Sequence, residues 1–120
     1  MDNPDGTGSL KISRMTIESD SVSFDFEGSV EGYGTVFASH TLSYIGEDRS
    51  RGRVQGEART FLEDGTLIST PHMGTFTRHG SKACSYFTDA TNQGIVNFVI
   101  WDIDIITKTV AVRYWEVKSP

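Results

Sequence analysis

His72 is the side chain of this sequence best suited to acid–base chemistry, because an imidazole changes its charge near neutral pH. It follows Pro71, which cannot donate to a strand ladder, so the strand is locally irregular there. A two-residue turn at Asp64-Gly65 would place Glu57 directly across from His72. This pair either acts as a carboxylate-oriented general base or is an ordinary polar pair on the outer face. A three-residue turn with a bulge would shift the register by one residue and break the pair.

His40 is the other candidate catalytic residue. It alternates in phase with Val36, Ala38 and Leu42, so its side chain is predicted to point inward with theirs. A histidine in such a position is either a satisfied core group or a catalytic group.

Four further side chains are predicted to bind a small molecule. Sites of this kind are largely apolar and aromatic, with a few polar groups that orient the ligand. The predicted ligand-binding residues are Trp101, Tyr114, Tyr44 and Arg59. Tyr33 and Asn97 are additional polar candidates.

Metal, phosphate and nucleophile signatures are absent from the sequence. His40, His72 and His79 fall on separate segments, so there is no close-spaced pair of metal ligands. No G-x-S-x-G elbow is present, and no glycine-rich loop precedes a helical pattern. The sequence therefore predicts neither a metal nor a cofactor.

The segments that carry these residues have the period of β-strands. Val22, Phe24 and Phe26 alternate with polar residues, and about eight such segments are joined by short turns. Short turns imply antiparallel neighbours, and a meander of this length leaves two open edges unless it closes. We therefore predict an all-β, eight-stranded, antiparallel up-and-down barrel over residues 9–120. Residues 1–8 are turn formers and are predicted to be a loose lead-in.

The last predicted hairpin is apolar on both faces. A turn at Thr107-Lys108 places Asp102 opposite Arg113 on the outer face. The predicted inward set is Val99, Trp101, Ile103 and Ile105 with Val110, Val112 and Tyr114. The outer face also carries Phe98, Ile100, Trp115 and Val117. An apolar outer patch is typical of an interface, so a homo-oligomer is predicted.

Charge and cysteine content indicate the expected partners and compartment. The net charge of −5 argues against duplex nucleic acid and anionic membranes, which attract basic proteins. The single cysteine, Cys84, cannot form an intrachain disulfide, and no signal-peptide pattern follows Met1. A cytoplasmic protein without a membrane or nucleic-acid partner is expected.

The segment FEGSVEGYGTVFASHTLSYIGE, followed by GRVQGEARTFLEDG and MGTFTRHG, resembles the allene-oxide-cyclase type of barrel. The resemblance covers roughly residues 24 to 80 and is greatest to small bacterial relatives of unassigned function; a lipocalin-like barrel is the second choice. The resemblance implies an eight-stranded barrel with an apolar cavity, often assembled into an oligomer. In such a barrel the cavity constrains the conformation of a hydrophobic substrate. No catalytic residue of the plant enzymes matches a position here, so none is transferred.

Two functions are compatible with these observations. The first is a barrel that binds a small hydrophobic or aromatic molecule, either as a binding protein or as a cofactor-independent isomerase or cyclase. The alternative is a non-enzymatic structural or oligomerising module with a filled interior. A ligand barrel should contain a cavity of roughly 300 Å³ or more, whereas a filled one should contain only small voids.

Overall fold

Alternating apolar and polar residues form eight long strands in the computed structural model, which describes residues 2–120. The strands are β1 (Gly6–Ile17), β2 (Ser21–Val30), β3 (Gly34–Tyr44), β4 (Arg51–Phe61), β5 (Leu67–His79), β6 (Lys82–Ala90), β7 (Val96–Asp104) and β8 (Thr109–Lys118). Each strand pairs antiparallel with the next, and β8 pairs with β1 to close the barrel. The predicted fold class is confirmed. The described residues contain no helix that is long and apolar enough to cross a membrane.

Strand β1 begins earlier than the turn-forming composition of its first residues suggests. Gly6 and Gly8 pair with Tyr114 and Val112 of β8, and these pairs help to close the barrel. A side chain at Gly6 would overlap the Tyr114 ring, so the glycine makes room for this contact. Part of the predicted lead-in is therefore strand, and Met1 lies outside the described residues.

The barrel interior is packed around one aromatic cluster. The indole of Trp101 lies 4.9 Å from the Phe26 ring and 5.2 Å from the Phe87 ring, measured between centroids. The His40 ring stacks on Trp101 at 4.4 Å. All four side chains are buried, so this cluster fills the middle of the barrel.

The β4–β5 hairpin has a register one residue away from the two-residue-turn prediction. Leu62 donates to Thr66 across a three-residue loop, in which Gly65 adopts the left-handed conformation at φ 88°. Glu57 therefore pairs with Pro71, and its side chain is exposed on the outer surface. The predicted Glu57–His72 pair is wrong, because a shift of one residue turns a side chain to the opposite face.

The β7–β8 hairpin has the predicted faces with a different register. A four-residue loop places Asp102 opposite Ala111 and Arg113 opposite Ile100. Arg113 Nη2 still reaches Asp102 Oδ2 diagonally at 3.1 Å. Six of the seven predicted inward residues lie in these strands and face the interior, and Ile105 lies in the loop and packs against the core.

The outer apolar patch of β7 and β8 is partly covered by the chain itself. Ile100 is only 7% exposed, and the ring of Trp115 lies 6.1 Å from that of Phe98. Trp115 Nε1 donates to the carbonyl oxygen of Asp2 at 2.9 Å, whereas Val117 is 63% exposed. The predicted homo-oligomer through this patch stays a prediction.

Candidate functional site

A chain of five polar side chains crosses the barrel interior. His40 Nε2 lies 2.7 Å from His72 Nδ1, and His72 Nε2 lies 3.8 Å from Asp89 Oδ2. Asn97 Nδ2 donates to Asp89 Oδ1 at 3.0 Å and to the Tyr33 hydroxyl at 2.9 Å. The two histidines and Asn97 are almost fully buried, so this polar chain lies within an otherwise apolar core.

Strand register explains how residues far apart in sequence form this chain. His72 of β5 lies opposite Asp89 of β6, and Asp89 lies opposite Asn97 of β7. On the other side, Gly56 of β4 lies between His40 of β3 and His72. Because Gly56 has no side chain, the two imidazoles can meet across the intervening strand.

Burial keeps both histidines neutral. Loss of solvation lowers the pKa of His72 to about 3 and the pKa of His40 well below its usual value. In the 2.7 Å contact, one ring must donate its N–H and the other must accept it. The pair therefore forms a neutral hydrogen-bonded unit at neutral pH.

Asp89 is the acidic group of the chain that titrates closest to neutral pH. Burial raises the pKa of Asp89 to about 6, against the opposing effect of the hydrogen bond from Asn97. Its Oδ2 atom lies 3.8 Å from His72 Nε2, which is too long for a hydrogen bond. A carboxyl group with this pKa can both accept and release a proton near neutral pH.

A cavity of about 50 Å³ borders this chain. Asp89, Asn97 and His72 form its polar wall, whereas Trp101 and Tyr114 belong to its aromatic wall. This volume accommodates a few water molecules. The cavity lies at the end of the barrel where β2 meets β3 and where β8 ends.

The remaining predicted site residues lie elsewhere. Tyr44 is at the opposite end of β3, where its ring lies 6.0 Å from that of Phe76. Arg59 and Glu57 are on the outer surface and form an exposed ion pair at 3.4 Å. His40 does not line the cavity itself but contacts His72 and Trp101, which do. Of the predicted residues, the structure thus brings together His40, His72, Trp101 and Tyr114, with the additional polar candidates Tyr33 and Asn97.

Sequence reasoning missed Asp89 as a site residue. Its signal was nevertheless available, since Asp89 alternates in phase with Ala83, Ser85 and Phe87 on one face of β6. A carboxylate on an otherwise buried face is unusual and indicates either a partner or a function.

The described part of the chain contains no group of three or more His, Cys, Asp or Glu side chains that could hold a metal ion. Comparison with protein-family models, with curated proteins and with solved structures gives no significant match.

Proposed function

We propose that the barrel binds a small hydrophobic or aromatic molecule in the cavity beside Asp89 and His72. The observation that carries this proposal is a buried carboxyl–imidazole pair on the wall of an otherwise largely apolar cavity. Burying such groups without hydrogen-bond partners costs free energy, so their presence here indicates a partner or a function. A pocket with apolar walls and a few convergent polar groups is the usual form of a small-molecule site.

The same pair supports a cofactor-independent isomerisation. Asp89 would take a proton from a carbon of the bound molecule and return it to a different carbon, so that no co-reactant is consumed. Asn97, which donates to Asp89 Oδ1, would position the carboxyl group, and His72, held by its hydrogen bond to His40, would lie beside the bound molecule. Trp101 and Tyr114 would hold the apolar body of the molecule.

A filled, non-enzymatic barrel is the second candidate function. The observation that favours it is the cavity volume of about 50 Å³, which is below that of usual ligand pockets. In this case the polar chain would serve only to specify the packing of the core.

Native mass spectrometry of the purified protein tests the binding proposal. Ala58 lines the cavity, so Ala58→Val should fill it. Ala83→Val is the control, because it adds the same methyl groups to the core at the opposite end of the barrel. We expect a co-purified small molecule on the wild-type protein and on Ala83→Val, and its loss from Ala58→Val. Retention by Ala58→Val would contradict binding in the cavity, and a molecule-free wild-type protein would favour the filled barrel.

Deuterium exchange tests the isomerisation. The co-purified molecule is incubated with the protein in D₂O, and carbon-bound deuterium is measured by mass spectrometry. We expect incorporation with the wild-type protein and its loss in Asp89→Asn. Incorporation at an unchanged rate in Asp89→Asn would contradict the role of this carboxyl group.

A further inference from the structure

An open groove of about 370 Å³ lies directly outside the cavity. Tyr33, Asn97 and Tyr114 line both spaces, so these three side chains form the layer between groove and cavity. Leu62 and Ile95 also line the groove and provide apolar contacts for a ligand. A ligand too large for the inner cavity can therefore place one small group inside and leave its body in the groove.

Two carboxylates line this entrance. Asp5 and Glu116 line the groove, and no lysine or arginine lines either the groove or the cavity in residues 2–120. Burial raises the pKa of both Tyr33 and Tyr114, and nearby carboxylates, Glu116 among them, raise it further. The two phenols thus lie in a negative electrostatic potential.

Unused hydrogen-bond acceptors point to the same kind of ligand. Asn97 is 2% exposed, and its amide nitrogen donates to both Asp89 and Tyr33. Its Oδ1 atom is buried and has no hydrogen-bond partner among the described residues. In residues 2–120 no side chain donates to Asp89 Oδ2, and His72 Nε2 lies 3.8 Å away, so the site offers two acceptors and requires a donor.

We infer that the ligand is an organic cation, a primary ammonium group attached to an apolar or aromatic body. This inference rests on the proposed function and narrows its ligand class. The ammonium group donates to Asp89 Oδ2 and Asn97 Oδ1, and the body lies in the groove against the faces of Tyr33 and Tyr114. An ammonium group matches the size of the cavity of about 50 Å³, and the groove of about 370 Å³ holds the rest.

The charged residues in the loops at this end of the barrel are all acidic. The three loops at residues 31–33, 62–66 and 91–95 carry Glu31, Glu63 and Asp64 and no basic residue. The loops at the opposite end carry Arg49 and Lys108 beside four carboxylates, those of Glu18, Asp20, Glu47 and Asp48. A basic group also lies at this rim, where Lys118 Nζ donates to the Gly94 carbonyl oxygen at 3.4 Å. A field of this sign attracts cations and repels anions.

Three probes that share one ring but differ in charge test the inference. Benzylamine, benzyl alcohol and benzoate are titrated into the isotopically labelled wild-type protein at pH 7.5, and amide and indole shifts are followed by NMR. We expect shifts at Trp101, Asn97 and Tyr114, with benzylamine binding at least roughly tenfold more tightly than benzyl alcohol. Benzoate should bind most weakly.

Two charge-removing variants identify the carboxylate responsible. Asp89→Asn should weaken benzylamine binding at least roughly tenfold and leave benzyl alcohol binding unchanged. Glu57→Gln changes the net charge equally on the outer surface and should leave both affinities unchanged. If Asp89→Asn does not fold, the comparison of the three probes on the wild-type protein decides alone.

The outcomes separate the two proposals. Binding of benzyl alcohol or benzoate at these residues as tightly as benzylamine would overturn the cationic ligand and leave cavity binding intact. Shifts confined to surface residues, or no shifts with any probe, would overturn the cationic ligand, whereas the co-purified molecule decides binding in the cavity.

Discussion

Burial disfavours the charged forms of the side chains in the polar chain. It therefore lowers the pKa values of His40 and His72 and raises the pKa of Asp89 to about 6. Below pH 6.5 the unfolded chain therefore binds protons on these two histidines that the folded chain binds more weakly. Between pH 6 and the unfolded value near 4, the folded chain binds one proton on Asp89 that the unfolded chain lacks.

These differences predict the pH dependence of stability. Two histidines oppose one aspartate, so the free energy of unfolding should decrease as the pH falls from 6 to 4. His72→Gln removes one of these histidines, so its free energy of unfolding should decrease less over the same pH range. Chemical denaturation at several pH values measures both slopes.

The exposed His79 provides the control, since His79→Gln leaves the buried chain intact. The interpretation is refuted if His72→Gln keeps the wild-type slope, because His72 would then bind its proton in the folded protein as well.

At the level of the strands, the glycines of β4 determine which side chains can meet. Gly56 lies between His40 and His72, and a Cβ atom there would lie 2.8 Å from His40 Cδ2 and would also overlap the Ser39 carbonyl oxygen. The close approach of the two imidazoles thus depends on a missing side chain in a third strand.

Gly56→Ala should therefore separate the two imidazoles. We expect it to lower the free energy of unfolding by about 1–3 kcal/mol, as overpacking does. The ¹⁵N signals of both histidine rings should shift as their hydrogen bond is lost.

Gly80→Ala is a suitable comparison, because Gly80 has a positive φ of 61° but open space around its Cα. It should cost about 1 kcal/mol and leave the histidine signals unchanged. Unchanged histidine signals in Gly56→Ala would contradict the role assigned to this glycine.

On the scale of the whole molecule, closing the sheet removes both edges and leaves side-chain surfaces as the means of association. The patch of Phe98, Ile100, Trp115 and Val117 is the surface from which an oligomer was predicted. Ile100 is covered within the chain, so Val117 and the partly exposed rings of Phe98 and Trp115 remain available to a second copy.

Sedimentation velocity tests this association. We expect the wild-type protein to sediment as an oligomer and the double variant Phe98→Lys, Val117→Lys to sediment as a monomer, because the lysines place charge in the apolar patch. The matched variant Phe37→Lys, Leu67→Lys alters apolar residues on the other side of the barrel and should leave the oligomer intact. A monomeric wild-type protein at micromolar concentration would contradict the predicted interface.

The amino-acid sequence alone determined the strands, the barrel and the inward position of His40, Trp101 and Tyr114. Each of these follows from an alternation of period two or from the need to close open edges, and both are local or compositional properties. The inward phase of Asp89 was equally readable, although its partners were not.

The tertiary structure decided which of these side chains meet. The conformation of Gly65 shifted the β4–β5 register by one residue, which sent Glu57 outward and left His72 inside. Asp89 became the partner of His72 through the pairing of β5 with β6. Local alternation cannot specify such contacts, because a change of one residue in a single turn exchanges the two faces of a strand.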